Sequence, residues 1–218
     1  HKVWIDEETE IHANSIIIAT GAEAKWLGIP SEKKLNGSGV SACAVCDGFL
    51  FKGKEVALVG AGDTACEEAL YLSNVGAHVH MIVRSDKMRA SKIMQNRVIE
   101  KANITIYWNS ETEEILGEHK VEGVRLKNNQ TNEISEIKVE GFFVVIVFKP
   151  NSDIFKDYLE MDATGYLKTI PGCTKTNIAG VFAAGDVQDN VYRQAVTSAG
   201  SGCMAALDAE RYLAEFFH

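Results

Sequence analysis

Short, wholly apolar runs alternate along this chain with stretches in which apolar residues recur every three or four positions, a pattern that predicts strands followed by helices. Glu55-Val-Ala-Leu-Val-Gly60 reads as a strand buried on both faces, His78 to Val83 as a second, and Ile104 to Trp108 as a third. Between the first two, residues from about Asp63 to Val75 put Ala65, Ala69 and Leu72 on one stripe, with Gly76 as the stop. A further helix is expected from about Ser91 to Lys101. Three more polar β segments follow, Glu113 to Gly117, Val121 to Lys127 and Glu133 to Val139, an antiparallel meander whose last two members join through the turn-rich Asn128 to Asn132. Apolar strands are also expected at Ser15 to Gly21, Gly141 to Phe148 and Val181 to Ala184. The segments Val3 to Ile5 and Glu10 to Ala13 form a small hairpin, and Ala22 to Val40, broken by Pro30, Gly37 and Gly39, is read as a loop. A long terminal helix runs from about Arg193 to Phe216. The fold class is α/β, with one complete nucleotide-binding βαβ unit in the centre and pieces of a second domain at both ends.

Gly60-x-Gly62-x-x-Ala65 follows a strand and opens a helix, the context that turns a glycine pattern into a dinucleotide-binding signature. Gly60 permits the tight turn, Gly62 lets a pyrophosphate approach the backbone, and the helix N-terminus faces the phosphates. The same letters recur at Gly200, Gly202 and Ala205, but inside the terminal helix with no strand before them, where small residues are expected to permit close helix packing. An NAD site would place Asp or Glu at the end of the second strand. Here that strand ends in Arg84, with Arg89 five residues on, and guanidinium groups suit a 2′-phosphate, which favours NADP.

Cys43-Ala-Val-Cys46-Asp47 carries the sharpest chemistry. Two intervening residues let the thiols meet as a disulfide, and this spacing favours thiolate exchange. Asp47 is placed to move a proton. The alternative is half a zinc site, which needs further ligands. Cys66, Cys173 and Cys203 are scattered, and His78 and His80 stand two apart on a strand, so no metal site is assigned. Cys66 and Cys203 are expected to be small buried fillers, and Cys173 to lie in a loop.

Composition narrows the classes. Among 218 residues, 46% are hydrophobic and 24% charged, as in a soluble globular protein, and no apolar run has the length of a membrane helix. The net charge of −8 argues against nucleic acid. The five cysteines, odd in number, do not form a secreted scaffold, so the cytoplasm is the expected compartment.

The stretches Ser41 to Gly48, Gly60 to Ser73, Arg89 to Met94, Gly180 to Asp189 and Tyr192 to Tyr212 resemble the low-molecular-weight, bacterial-type thioredoxin reductases, and the resemblance extends over essentially the whole chain. It implies a Rossmann-like NADPH-binding domain, residues 26–147 with the Cys-x-x-Cys, inserted into an FAD-binding domain represented by residues 1–25 and 148–218. It implies NADPH at Gly60, Gly62, Asp63, Thr64, Arg84 and Arg89. Thr20, Gly21, Asp186, Arg193, Gln194 and Ala195 would line FAD. Electrons would pass from NADPH through FAD to Cys43 and Cys46, with Cys46 toward the flavin, Asp47 handling protons, and Cys43 attacking thioredoxin. A homodimer is also implied, as is rotation of the insert on its two linkers.

Three departures stand against that pattern. The family begins with a first Gly-x-Gly-x-x-Gly unit for the ADP half of FAD, and this chain has none, so by itself it is expected neither to hold FAD firmly nor to turn over. The return linker reads Ile146-Val-Phe-Lys-Pro150 in place of Ile-Gly-His-x-Pro, which narrows the backbone freedom of a hinge. The 2′-phosphate corner reads Val83-Arg84-Ser85 in place of His-Arg-Arg. The competing readings are the flavoprotein of alkyl hydroperoxide reductase, which prefers NADH, and a silent nucleotide-binding fragment.

Overall fold

The computed structural model describes residues 1–216. They form two units, one of residues 1–23 with 148–216 and an inserted one of residues 24–147. In chain order the elements are β1 (Lys2–Trp4), β2 (Glu10–His12), β3 (Ile16–Ile18), β4 (Ala22–Ala24), α1 (Pro30–Leu35), β5 (Val40–Ser41), α2 (Ala44–Asp47), β6 (Glu55–Val59), α3 (Asp63–Asn74), β7 (His78–Ile82), α4 (Lys92–Ile99), β8 (Ile104–Tyr107), β9 (Ser110–Leu116), β10 (Gly123–Asn128), β11 (Ile134–Ile137), β12 (Gly141–Val144), β13 (Phe148–Pro150), β14 (Val181–Ala183) and α5 (Ala195–Phe216).

The inserted unit is built around a parallel sheet in the order β5-β12-β6-β7-β8. Alternation along β6 and β7 sends Val56, Leu58, Val79 and Met81 to the face covered by α3 and α4, where they meet Ala65, Ala69, Leu72 and Val98. Ala57 and Ile82 go to the other face, joining Phe142 and Val144 of β12 against Ile115, Val124 and Leu126 of the antiparallel β11-β10-β9 sheet. Both faces of the parallel sheet are therefore covered, which is why its strands are largely apolar, with Glu55, His78 and His80 the polar exceptions where β6 and β7 begin.

In the other unit β1 and β2 form an antiparallel hairpin, and β3 pairs in parallel with β14. Ile18, Val181 and Ala183 pack with Leu159, Leu167 and Val187 on one side. Phe182 and Ala184 pack with Ala205 and Ala209 of α5 on the other. The chain passes between the units through β4 and β13, which pair with each other.

Four expectations need correction. The segment Ala22 to Val40, read as a loop, contains β4, α1 and β5. Helix α1 is held by a buried acid: Glu32, only 3% exposed, accepts the backbone N–H groups of Leu27 and Gly28 at 2.9 Å each. The strand expected over Gly141 to Phe148 ends at Val144, because Val147 turns away to accept the Lys25 N–H at 2.8 Å. Cys203 is exposed, not a buried filler, whereas Cys66 is buried as expected. Finally, an added Cβ at Gly200 or Gly202 would meet nothing within 4 Å, so these glycines do not serve close helix packing among the described residues.

Candidate active site

Cys43 and Cys46 are joined as a disulfide with their Cα atoms 5.3 Å apart. The local chain is shaped to present them. Ser41 Oγ accepts the Cys43 N–H at 3.1 Å, Cys43 Sγ accepts the Cys46 N–H at 3.2 Å at the start of α2, and Glu68 of α3 accepts the Ala44 N–H at 2.9 Å. Ala44 is buried, Cys43 half-buried and Cys46 exposed, with Asp47 next to it half-buried. Around the pair, Val45, Phe49 and Leu50 are exposed apolar side chains, a surface suited to a flat ring or a partner chain. Ser41 and Glu68 escape sequence reasoning: Ser41, two residues before Cys43, fits a local side-chain-to-backbone turn, whereas Glu68 lies 24 residues from Ala44 and no local signal points to it.

The glycine turn lies at the C-terminal end of β6, and its two glycines do different work. A Cβ on Gly60 would sit 2.2 Å from the Val145 carbonyl oxygen and 2.6 Å from Ala65 Cβ, so this residue lets strand, turn and helix close on one another. A Cβ on Gly62 would meet nothing within 4 Å, leaving open space before the N-terminus of α3. That open cradle, at the carboxyl end of a parallel sheet, fits a dinucleotide pyrophosphate. The Arg89 and Ala90 N–H groups donate to the Ala61 carbonyl at 2.8 and 3.0 Å, which brings the Arg89 loop to the same turn. Asp63 is occupied within this arrangement: its carboxylate accepts the backbone N–H of Ser91 at 2.9 Å and the hydroxyl of Ser91 at 2.8 Å, and these bonds hold it below the usual carboxylate range. Thr64, the next residue of α3, is exposed, as are both arginines. Asn129 donates to the Arg84 carbonyl at 2.6 Å and so fixes the backbone of that corner. Cys66, one turn into α3, is inert by comparison, because burial first and then the charges of Asp63 and Glu67 push its thiol up to about 11.

The remaining expected residues all belong to the other unit. Thr20 and Gly21 follow β3, and Asp186 follows β14, so they stand at the carboxyl ends of two neighbouring parallel strands, where α/β folds bind ligands. Asn151 clamps the first pair: it accepts the Thr20 hydroxyl at 2.6 Å and donates its side-chain amide to the Thr20 carbonyl at 3.0 Å, while its backbone N–H reaches the Gly21 carbonyl at 2.9 Å. Asp186 accepts the Ser198 hydroxyl of α5 at 2.8 Å. Arg193 and Gln194 precede α5 and Ala195 opens it. Asp189 shapes that entry by accepting the N–H groups of Val191, Tyr192 and Arg193 at 2.9–3.0 Å, which holds Arg193 at φ 48°. Burial opposes the ionised form of Asp189, yet these three amides outweigh it and keep the carboxyl low. Phe148, the departure in the return linker, lies under the Arg193 guanidinium at 4.9 Å from the ring centroid. Strand ends with an Asp and a helix start fit the ribityl-phosphate portion and ring of a flavin dinucleotide.

A family model described as pyridine nucleotide-disulphide oxidoreductase matches residues 1–202. The chain is 53% identical over 208 residues to the thioredoxin reductase of Coxiella burnetii, covering 92% of this chain and 65% of that protein. It is 51% identical over 215 residues to that of Rickettsia conorii, covering 97% and 69%. The chain belongs to the thioredoxin reductases of this family. Among solved structures, the Streptococcus pyogenes thioredoxin reductase superposes with a TM-score of 0.92 at 36% identity, over 97% of this chain and 69% of that one. The Giardia duodenalis thioredoxin reductase gives 0.89 at 44% identity, over 95% and 68%. The chain thus spans about two thirds of the length of these thioredoxin reductases. Within this family a presented disulfide beside a dinucleotide turn is the expected chemistry, and the Cys43–Cys46 disulfide sets aside the half-zinc-site reading of that pair.

Proposed function

We propose that this polypeptide supplies the disulfide centre and the pyridine-nucleotide site of an NADPH-dependent thioredoxin-disulfide reductase. The observation that carries the reading is the Cys43–Cys46 disulfide, presented on α2 and tied through Glu68 to the helix that opens at the nucleotide cradle. The inserted unit is the NADPH-binding domain in this reading, and residues 1–23 with 148–218 belong to the FAD-binding domain. FAD, when bound, supplies a carrier that takes a hydride equivalent from NADPH and returns two electrons to a disulfide.

The chain's own residues then divide the work. Gly62 and the α3 N-terminus receive the pyrophosphate, and Arg84 and Arg89 receive the 2′-phosphate. Thr20, Gly21, Asp186, Arg193, Gln194 and Ala195 hold the flavin side. Once the disulfide is reduced, the Cys43 thiolate attacks one sulfur of oxidised thioredoxin, forming a mixed disulfide and expelling the other thioredoxin sulfur as a thiolate. The Cys46 thiolate attacks Cys43 Sγ, which restores the disulfide and releases reduced thioredoxin. Two electrons leave the pair, and Asp47, adjacent to Cys46, relays the protons. The cytoplasm as compartment and a homodimer as assembly complete the proposal.

The test is the NADPH- and thioredoxin-dependent turnover of the complete enzyme carrying these residues. Cys43→Ser and Cys46→Ser are each expected to abolish it, and Arg84→Ala with Arg89→Ala to reduce the preference for NADPH over NADH by about tenfold or more. Persistence of turnover in either serine variant overturns the reading.

A further inference from the structure

The parallel pairing of β6 with β7 sets Glu55 opposite His78 and Ala57 opposite His80. Residues two apart on a strand share a face, so both histidines and Glu55 project from one side of the sheet, at the end where β6 begins. That end lies roughly 16 Å along the strand from Gly60 and the nucleotide cradle. One ligand atom from each of Glu55, His78 and His80 comes within 4.8 Å of the other two. We infer that these three residues form a binding site for a divalent transition ion of the zinc class, distinct from the redox pair and from the nucleotide turn.

Four observations favour it. Two imidazoles and a carboxylate are the donors such an ion prefers, with room left for water in a fourth position. His80 Nε2 already shares a hydrogen bond with Glu55 Oε2 at 2.7 Å, a diagonal contact on the shared face, so an ion would take the place of one proton between groups that already meet. The other nitrogen, His80 Nδ1, faces the Tyr107 hydroxyl of β8 at 3.2 Å, the outer contact that orients a ligating imidazole. Access is open on one side, since the Glu55 side chain is 53% exposed and His80 11%. Tetrahedral zinc at about 2.0–2.1 Å from each donor needs them about 3.4 Å apart, a closure that rotation of the exposed Glu55 and of His78 supplies. His78 now shares a hydrogen bond with Thr105 Oγ1 at 3.0 Å, which it would exchange for the ion. Of the lysines that line the same cleft as Glu55, which are Lys54, Lys120 and Lys138, Lys54 is engaged with Glu140 at 3.2 Å. The two histidines are visible in the sequence, but Glu55 lies 23 residues before His78 and joins them only through strand register.

The experiment titrates zinc chloride into the protein with its Cys43–Cys46 disulfide intact and with Cys173→Ser and Cys203→Ser, so that the accessible thiols contribute nothing. The expected result is one saturable site per chain, weakened about tenfold or more by His78→Ala and by Glu55→Gln separately. Ring-nitrogen shifts of His78 and His80 on titration give a second readout that does not depend on the variants folding normally. Absence of saturable binding, binding that both variants retain, or shifts confined to other histidines overturns the inference. NADPH affinity measured on the same samples stays unchanged if the site is as described, so failure here and failure of the nucleotide assignment are told apart.

Discussion

At Gly60 and Gly62 the same residue type answers two unrelated demands. Gly60 is fixed by what already surrounds it, the Val145 carbonyl and Ala65 Cβ, whereas Gly62 faces open space. Gly60→Ala is therefore expected to cost about 1–3 kcal/mol of stability, as overpacking does, and to lower the melting temperature. Gly62→Ala leaves the stability within about 0.5 kcal/mol of the parent and instead weakens NADPH binding, measurable by fluorescence titration. A glycine pattern in a sequence conflates the two; the structure separates them. Asn151 illustrates a residue that no spacing rule singles out. It spends its hydrogen bonds on Thr20 and Gly21, groups 131 and 130 residues away that lie close only after folding.

Among the elements, α5 is anchored by charge as well as by its buried alanines. Asp208 accepts the Thr174 N–H at 2.9 Å and hydroxyl at 2.8 Å, and the backbone bond, ahead of the hydroxyl and of Lys175 and Arg211, holds its carboxyl below the ordinary 3.8. A depressed folded value means that the stabilisation is complete above the unfolded value and is lost as pH falls through the folded one. Acid unfolding of the parent should thus show a loss of stability below about pH 4 that is smaller in Asp208→Asn, while at neutral pH that variant is less stable by about 1–3 kcal/mol. Elements held by their own periodicity, such as β6, α3, β7 and α4, were legible in the sequence because each carries an apolar repeat with a start and a stop. Helix α1 was not, since its six residues have no repeat and depend on Glu32 reaching back to Leu27 and Gly28. The apolar run at 141–148 overstated a strand because its apolarity continues past the point where the chain leaves the sheet. Cys203 was misplaced for a related reason: apolar residues occur nearly all round α5, so the sequence does not reveal which face packs. For the site, the disulfide pair and the glycine turn were legible from local spacing, and the side chains that position them were not.

For the whole molecule, the inserted unit carries its own dry core on both faces of its parallel sheet, contributed entirely by residues between Leu27 and Ile146. Residues 24–147 expressed alone are expected to unfold in a single cooperative transition and to bind NADPH, as judged by circular dichroism melts and nucleotide titration. A non-cooperative melt would show that the rest of the chain completes that core. No helix among the described residues is long and apolar enough to cross a membrane.

The pairing of Ala22–Ala24 with Phe148–Pro150 means that the polypeptide enters and leaves the insert side by side. A module attached through two adjacent strands can be swapped for another of the same footprint without disturbing the register of its host. Recombination at that doorway offers a route by which one flavin scaffold could acquire different electron donors, and it marks the place to cut when grafting a foreign nucleotide domain.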